Sequence, residues 1–505
     1  MTSGIRGELI TVQADISPGL PVFYMIGYLA GEVREAKERV RTALKNSGFY
    51  LPAKRISVNL APADVRKYGT FFDLPIAVAL LLALEKIPPS YAQDTLILGE
   101  LALDGSLHSV SGVLPVVKEA CEQGITRCIV PRKNVAEAAL IQDMEVYGFD
   151  HLLQVIDYLI KGYSDQIDTS EGGNLMPREV SYPDFRTVKG QKMARRAIEI
   201  AAAGYHNLMM EGPPGIGKTM LASCVPGIMP ELAVEEQIEV SMIYSVRGLL
   251  KEDFKLMENR PFRAPSHTIT QAGFYGGGKF PKPGEISLAH KGVLFLDELP
   301  EYHREMIDML RVPLESHKIA IMRNQENVEF PADFLLIAAA NPCPCGYYPD
   351  RNLCHCSGHQ IKRYREKISG PILDRIDLFT SCENLPFETI ISEEESEPSS
   401  AILRRVSDAW QRQRERFQGR GYLYNGRMSD QDTAAFLTLD GQRMDMMQAA
   451  YKSFHMSPRS YFRVLKTART IADLEGSSEI GINHLEEALL YRRVPGSSPG
   501  QKSRF

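Results

Sequence analysis

Apolar and polar positions follow two periods along the first 160 residues. Leu9 to Ile16 alternates with period two and predicts a strand, as does Arg55 to Leu60. Thr95 to Leu101 predicts a third strand, and Ile125 to Val130, closed by Pro131, a fourth. Glu32 to Ser47 has helical composition and stops at Gly48, while the apolar run Leu74 to Leu84 reads as a buried helix. Strands interleaved with helices make residues 1–165 an α/β unit of their own. The polar stretch 166–182, with Gly172 and Gly173, predicts a linker. A second α/β region spans 183–390. A linker follows at 391–400, where Ser392 to Ser400 holds four Glu, four Ser and one Pro. Residues 401–495 are helical by pattern, notably Ala401 to Gln418 and Tyr461 to Leu474, and 496–505 form a tail.

Composition narrows the class. The chain has 505 residues, 44% apolar and 24% charged, which excludes a mainly disordered, collagenous or coiled-coil protein. A net charge of −5 excludes a strongly basic nucleic-acid coat but leaves room for a local basic channel. No apolar run approaches the ~18 residues of a membrane span, and no secretory pattern opens the chain. Eight cysteines are too sparse for a disulfide scaffold. A reducing, cytoplasmic setting is expected, with thiols free for a metal.

Chemistry concentrates in the second α/β region. Gly212-Pro213-Pro214-Gly215-Ile216-Gly217-Lys218-Thr219 fits G-x-x-x-x-G-K-[ST], preceded by the apolar strand Asn207 to Met210 and followed by a helix beginning Met220 to Ser223. Glycines let the backbone wrap a triphosphate with its N–H groups pointing inward. Lys218 then supplies charge at the β and γ phosphates, and Thr219 ligates Mg²⁺. Val293 to Leu296, ending in Asp297-Glu298, predicts a buried parallel strand that carries Asp297 to the Mg²⁺ and Glu298 to the attacking water. A third strand, Phe334 to Ala340, ends in Asn341, whose amide can orient that water or sense the γ-phosphate. Arg375 and Arg459 are lone arginines, uninformative by themselves.

Together these residues resemble an AAA+ ATPase of the magnesium-chelatase-like clade, specifically the ComM/YifB family. The stretches carrying the resemblance are Asn59 to Asp64, Pro261 to Pro265, Gly284 to His290, Asn341 to Gly346 and Gly370 to Asp377. The resemblance implies a fold of three parts: a Lon-protease-like N-terminal domain, an AAA+ core and a C-terminal helical lid. It implies Asn341 as sensor 1, Arg375 as an arginine finger acting on a neighbouring subunit's nucleotide, and Arg459 as sensor 2. It places Val188 to Gly190 near adenine and Met220 just past the phosphates, and implies a hexameric ring. A Lon-type peptidase needs a Ser nucleophile and a Lys base. Phe71 to Pro75 resembles the Ser loop but carries no Ser near Leu74, and Gly112 to Pro115, resembling the Lys region, is apolar, so the fold is expected without peptidase chemistry. Two departures touch this domain. Set against the resemblance, the chain is expected to begin a few residues late, and Tyr28 to Gly31 stands where a Leu-Pro-Asp type of turn is expected.

Cys343, Cys345, Cys354 and Cys356 form C-x-C-x8-C-x-C, four thiols within fourteen residues, a density that suits tetrahedral Zn²⁺ although the spacing is tighter than the usual knuckle. Cys121, Cys128, Cys224 and Cys382 read as core residues. Two segments could meet DNA phosphates. Gln271 to Gly284, with five glycines plus Lys279 and Lys282, suits a pore loop, and Lys318 to Glu329, with Lys318 and Arg323, looks like the clade's pre-sensor-1 hairpin. The arginine run Arg404, Arg405, Arg412, Arg414 and Arg416 reads as a solvated helical face, and Lys362 to Lys367 is a further basic patch. The resemblance implies branch migration of recombining, transforming DNA, with branched, single- or double-stranded DNA and, indirectly, the strand-exchange recombinase as partners. A chelatase motor subunit shares the ATPase motifs, and an ATP-dependent protease is the less favoured alternative.

Overall fold

The computed structural model describes residues 1–162, 182–250, 256–323, 326–391 and 396–492, with backbone alone at 323, 326 and 390. The predicted linker 166–182, save Tyr182, and the tail 496–505 lie outside the described residues.

In the N-terminal region Arg55–Ala61 is the middle of a three-stranded sheet. It runs antiparallel to Thr11–Ser17, with Thr11 opposite Ala61, and parallel to Phe23–Ile26. A second, parallel sheet orders Glu145–Phe149, Arg127–Pro131 and Thr95–Ile97. Period-two alternation sends Ile56, Val58 and Leu60 into one core with Val33, Val40, Leu74, Leu80, Val117 and Ile129. The helix Asp73–Ala83 is apolar on nearly every side and is correspondingly buried on nearly every side. The predicted strand Thr95 to Leu101 is in fact two: Thr95–Ile97 stays in the parallel sheet, whereas Glu100–Leu101 pairs with Leu107–His108. The break falls at Gly99, whose carbonyl accepts the Leu74 N–H and where a Cβ would press on the Leu74 side chain, so the helix start occupies the place a continuous ladder needs.

The central region is a five-stranded, all-parallel sheet ordered Phe262–Arg263, Val293–Leu296, Leu335–Ala340, Leu208–Glu211, Leu378–Ser381. Covered on both faces, the inner strands Val293–Leu296 and Leu335–Ala340 read as unbroken apolar runs, every residue of which is buried. Chain order and spatial order disagree around Leu208–Glu211, which creates the crevice at the C-terminal strand ends where ligands bind in such sheets.

The C-terminal helices are Ser399–Arg416, Asp430–Phe436, Gly441–Ser453, Pro458–Leu474 and Ile482–Leu490. Their apolar faces join those of Lys192–Gly204 and the sheet in one core, with Trp410 fully buried and its indole N–H donating to the Ala202 carbonyl at 3.0 Å. The linker expected at 391–400 is shorter than that: residues 392–395 lie outside the described part, and the helix already begins at Ser399, whose hydroxyl accepts the Phe185 N–H at 2.9 Å. The arginine run is not a uniformly solvated face either. Arg405 pairs with Glu199 and Glu397, Arg416 with the buried Asp473, and Arg412 donates to the Asp473 carbonyl, so three of its five members fasten the lid. Among the described residues no helix is long and apolar enough to cross a membrane.

Candidate nucleotide site

The strand Leu208–Glu211 delivers the chain into the phosphate-loop sequence, and a helix starts at Lys218, two residues earlier than the pattern predicts. Gly215 and Gly217 have φ of +78° and +88°, and a Cβ on either would meet nothing in the protein. Glycine is therefore required by backbone conformation, and the concavity in front of it is open. Gly212 is required by packing instead, because a Cβ there would lie 2.5 Å from both the Cys382 carbonyl oxygen and Ile216.

Three strand ends converge on this loop. Lys218 Nζ donates to the carbonyls of Gly212 (2.6 Å) and Pro213 (2.8 Å) and to Asn341 Oδ1 (3.0 Å). Burial pushes its pKa down, opposed first by Asp297. The Thr219 hydroxyl donates to Asp297 Oδ2 at 2.7 Å, bringing together the two residues expected at Mg²⁺. Glu298 follows in the left-handed region, φ +49°, with an exposed side chain. A bulky residue in that conformation is uncommon. Open N–H groups, a lysine and a hydroxyl–carboxylate pair form a donor set that fits a Mg²⁺-nucleotide: Gly215 to Thr219 for the phosphates, Thr219 and Asp297 for the ion.

The remaining predicted residues lie elsewhere. Val188 is buried and its carbonyl accepts the Ser396 hydroxyl at 2.6 Å, while Met220 is 40% exposed beside the loop. Arg375 is tied to Glu315 and donates to the Pro371 carbonyl at 2.6 Å, so its guanidinium is engaged by its own segment and Glu315. Arg459 is exposed in the first turn of Pro458–Leu474. One turn on, Arg463 clasps Asp377, which also accepts the Asn207 N–H at 2.9 Å. Burial works against the Asp377 carboxylate, yet Arg463 and His206 hold it below the usual range. This lid-to-sheet clasp was not anticipated, although Asp377 stands in the Gly370 to Asp377 stretch.

A second unanticipated pair is Glu211 with Arg365, 3.2 Å apart. Burial raises the Glu211 carboxyl to about 7 despite Arg365 and Lys218. The one sequence signal was an acid ending an apolar strand. The pair lies on a cavity of about 690 Å³ between the phosphate loop, the chain after Leu378–Ser381 and the cysteine loop.

The four cysteine sulfurs all lie within 4.8 Å of one another. Cys343 Sγ is 3.3 Å from Cys345 Sγ and 3.7 Å from Cys354 Sγ. The Tyr347 N–H, foremost, holds the Cys345 thiol below its ordinary range. Of the isolated cysteines, Cys128, Cys224 and Cys382 are buried and Cys121 is half-buried.

The basic hairpins form as paired strands. Gly276–Gly277 pairs with Lys282–Pro283, and Lys318–Arg323 with Glu326–Pro331. Lys279 lies 3.7 Å from Glu32 of the N-terminal region, and Phe280 stacks on Tyr68 with centroids 4.8 Å apart. Lys282 is exposed, and Lys318 sits 3.3 Å from Glu329. The side chain of Arg323 lies outside the described part.

Where the Ser loop of a Lon-type site would be, Leu74 is fully buried and Asp73 is bound to Arg39 at 2.7 and 2.9 Å.

Residues 184–390 match the family described as magnesium chelatase, subunit ChlI; residues 12–134 match subunit ChlI of Mg-chelatase, and 396–492 its C-terminal part. The chain is 41% identical to YifB of Salmonella typhimurium, covering 97% of this chain and 95% of that one. It is 40% identical to the competence protein ComM of Haemophilus influenzae, covering 97% and 96%. A shorter likeness, 28% over 34% of each chain, links it to Lon protease 2 of Bacillus subtilis. The chain belongs to the ComM/YifB family of magnesium-chelatase-like AAA+ proteins.

Proposed function

We propose that this protein is a ring-forming, Mg²⁺-dependent ATPase that drives branch migration of recombining DNA, including incoming transforming DNA. The observation that carries the reading is the convergence of Lys218, Thr219, Asp297 and Asn341 from three adjacent parallel strands on one open loop. The name of the Haemophilus influenzae relative, a competence protein, supports the DNA side. In this reading Lys218 and the N–H groups of Gly215 to Thr219 hold the triphosphate, and Thr219 and Asp297 hold Mg²⁺. Bound Mg²⁺ supplies charge neutralisation at the phosphates. Glu298 takes the proton of the attacking water, Asn341 orients that water, and Arg375 reaches the nucleotide of the next subunit of a hexamer. Lys279, Lys282, Lys318 and Arg323 track the DNA backbone, with Lys279 leaving Glu32 to do so. The cysteine cluster holds zinc.

The test is ATP hydrolysis with and without forked or four-way DNA, with Glu298→Gln as control. DNA-stimulated turnover that falls about 100-fold or more in Glu298→Gln is the expected result. Turnover indifferent to every DNA structure would direct the motor to another partner. In that case a chelatase-type role, which the family descriptions favour, replaces the DNA reading.

A further inference from the structure

The cysteine loop leaves the sheet directly beside Asn341 and returns to the phosphate loop at two points. At Gly346 a Cβ would lie 2.5 Å from Pro214 Cδ, so loop backbone rests on the phosphate loop itself. The second point is Arg365, at the end of the helix Gly358–Arg365, whose guanidinium lies 5.7 Å from the Tyr348 ring centroid and 3.2 Å from Glu211. Tyr348 is fixed to the cluster in turn, its N–H donating to Cys343 Sγ at 3.4 Å. A chain of contacts therefore runs from the thiols through Tyr348 and Arg365 to the residue that opens the phosphate loop.

The sulfur geometry identifies what the thiols hold. A disulfide would place two sulfurs about 2.05 Å apart, whereas Cys343 Sγ stands 3.3 Å from Cys345 Sγ and 3.7 Å from Cys354 Sγ, and all four cysteines are free of disulfides. Tetrahedral Zn²⁺ with Zn–S of about 2.3 Å sets its sulfurs about 3.8 Å apart. An iron–sulfur cluster interposes irons and sulfides between its thiolates and spreads them further than a 4.8 Å limit permits. Cys343 and Cys354 are buried and Cys345 and Cys356 half-buried, so the cluster can shield a bound metal from water.

We propose that this tetrathiolate is a structural Zn²⁺ site whose loop braces the phosphate loop through Arg365 and Glu211, so that nucleotide affinity depends on a metal that never touches the nucleotide. The brace rests on reading Gly212 to Thr219 as the phosphate loop. Arg365 and Glu211 are positioning residues: neither lies among the groups assigned to the phosphates, and each acts by fixing where Gly212 and Pro213 sit.

The experiment uses the full chain. Elemental analysis gives its zinc content, and Mg²⁺ with a fluorescent, non-hydrolysable ATP analogue gives affinity. The proteins are wild type, Arg365→Met, Glu211→Leu, the double variant, and Cys354→Ser/Cys356→Ser. The expected result is one zinc per chain, lost in the cysteine variant. The analogue should bind about tenfold more weakly to the cysteine variant and to each single variant, and the double variant should be no weaker than either single one. KM for ATP should rise while kcat at saturation stays within about threefold. If the cysteine variant does not fold, zinc released from wild type by a mercurial and restored with thiol reads the same dependence. Absence of zinc overturns the metal site. Zinc present with unchanged affinity, or with Arg365 and Glu211 effects that add, overturns the brace. A zinc-loaded wild type that binds no nucleotide at all overturns the phosphate-loop reading, and the brace with it.

Discussion

Two buried lysines sit in the two α/β regions of this chain, each in a cage of backbone carbonyls. Lys67 of the N-terminal region donates to the carbonyls of Pro62 and Val65 and is fully buried. Lys218 donates to Gly212 and Pro213 in the same manner but has a third partner in Asn341 and lies beside an open, glycine-lined concavity. Burial lowers both pKa values. The difference is in what surrounds them. Lys67 is fully buried, its charged neighbours being Asp64 and Glu8. Beside Lys218, Asp297 comes from the end of Val293–Leu296, two strands across the sheet from Leu208–Glu211, and takes the Thr219 hydroxyl's hydrogen bond. A caged lysine with its surroundings closed over it is a structural peg, whereas one beside an open concavity can meet a ligand, the role proposed for Lys218.

That contrast breaks or sharpens at four points. The largest effect is expected at Lys218→Ala, with kcat/KM for ATP falling about 1,000-fold, read by steady-state hydrolysis. Lys67→Met should leave hydrolysis within about twofold yet lower stability by about 3 kcal/mol in urea unfolding, because two buried carbonyls lose their donor. ATPase loss on that scale would end the distinction between peg and ligand.

Glu211→Gln tests the acid beside the phosphate loop. Its carboxyl is raised from 4.5 to about 7, so the folded state binds the proton more tightly than the unfolded state does. That contribution is fully present below pH 4.5 and is lost as pH rises through about 7. Relative to wild type, Glu211→Gln should be more stable by about 3 kcal/mol at pH 8 and equal near pH 4.5, measured by urea unfolding at each pH. A constant difference at both values would show that the carboxyl does not titrate there. The smallest effect belongs to the exposed Lys318–Glu329 pair. Lys318→Ala should change stability by less than about 0.5 kcal/mol while weakening DNA binding and its salt dependence.

The legibility of the site followed sequence distance. Gly212 to Thr219 is contiguous, and its neighbours Asp297 and Asn341 are announced by apolar strands that end in polar residues. Glu211 and Arg365 are 154 positions apart, and neither belongs to a periodic pattern that would pair them. The lid arginines were misread for the same reason. Charge density along a helix does not reveal that Glu199 and Asp473 wait opposite. The long strand expected at Thr95 to Leu101 failed because alternation cannot register a helix end arriving at Gly99.

By itself the sequence determined the family, the α/β character of both regions, the helical lid, the phosphate loop and the acids that follow it, since these depend on local periodicity and contiguous spacing. Only the tertiary structure decided that Lys218 meets Asn341, that four cysteines converge on one point, that Arg365 reaches Glu211, and that the Lys279 hairpin rests against Glu32 and Tyr68. Such pairings depend on packing between distant segments, where burial makes each charge find a partner and no local pattern records which one.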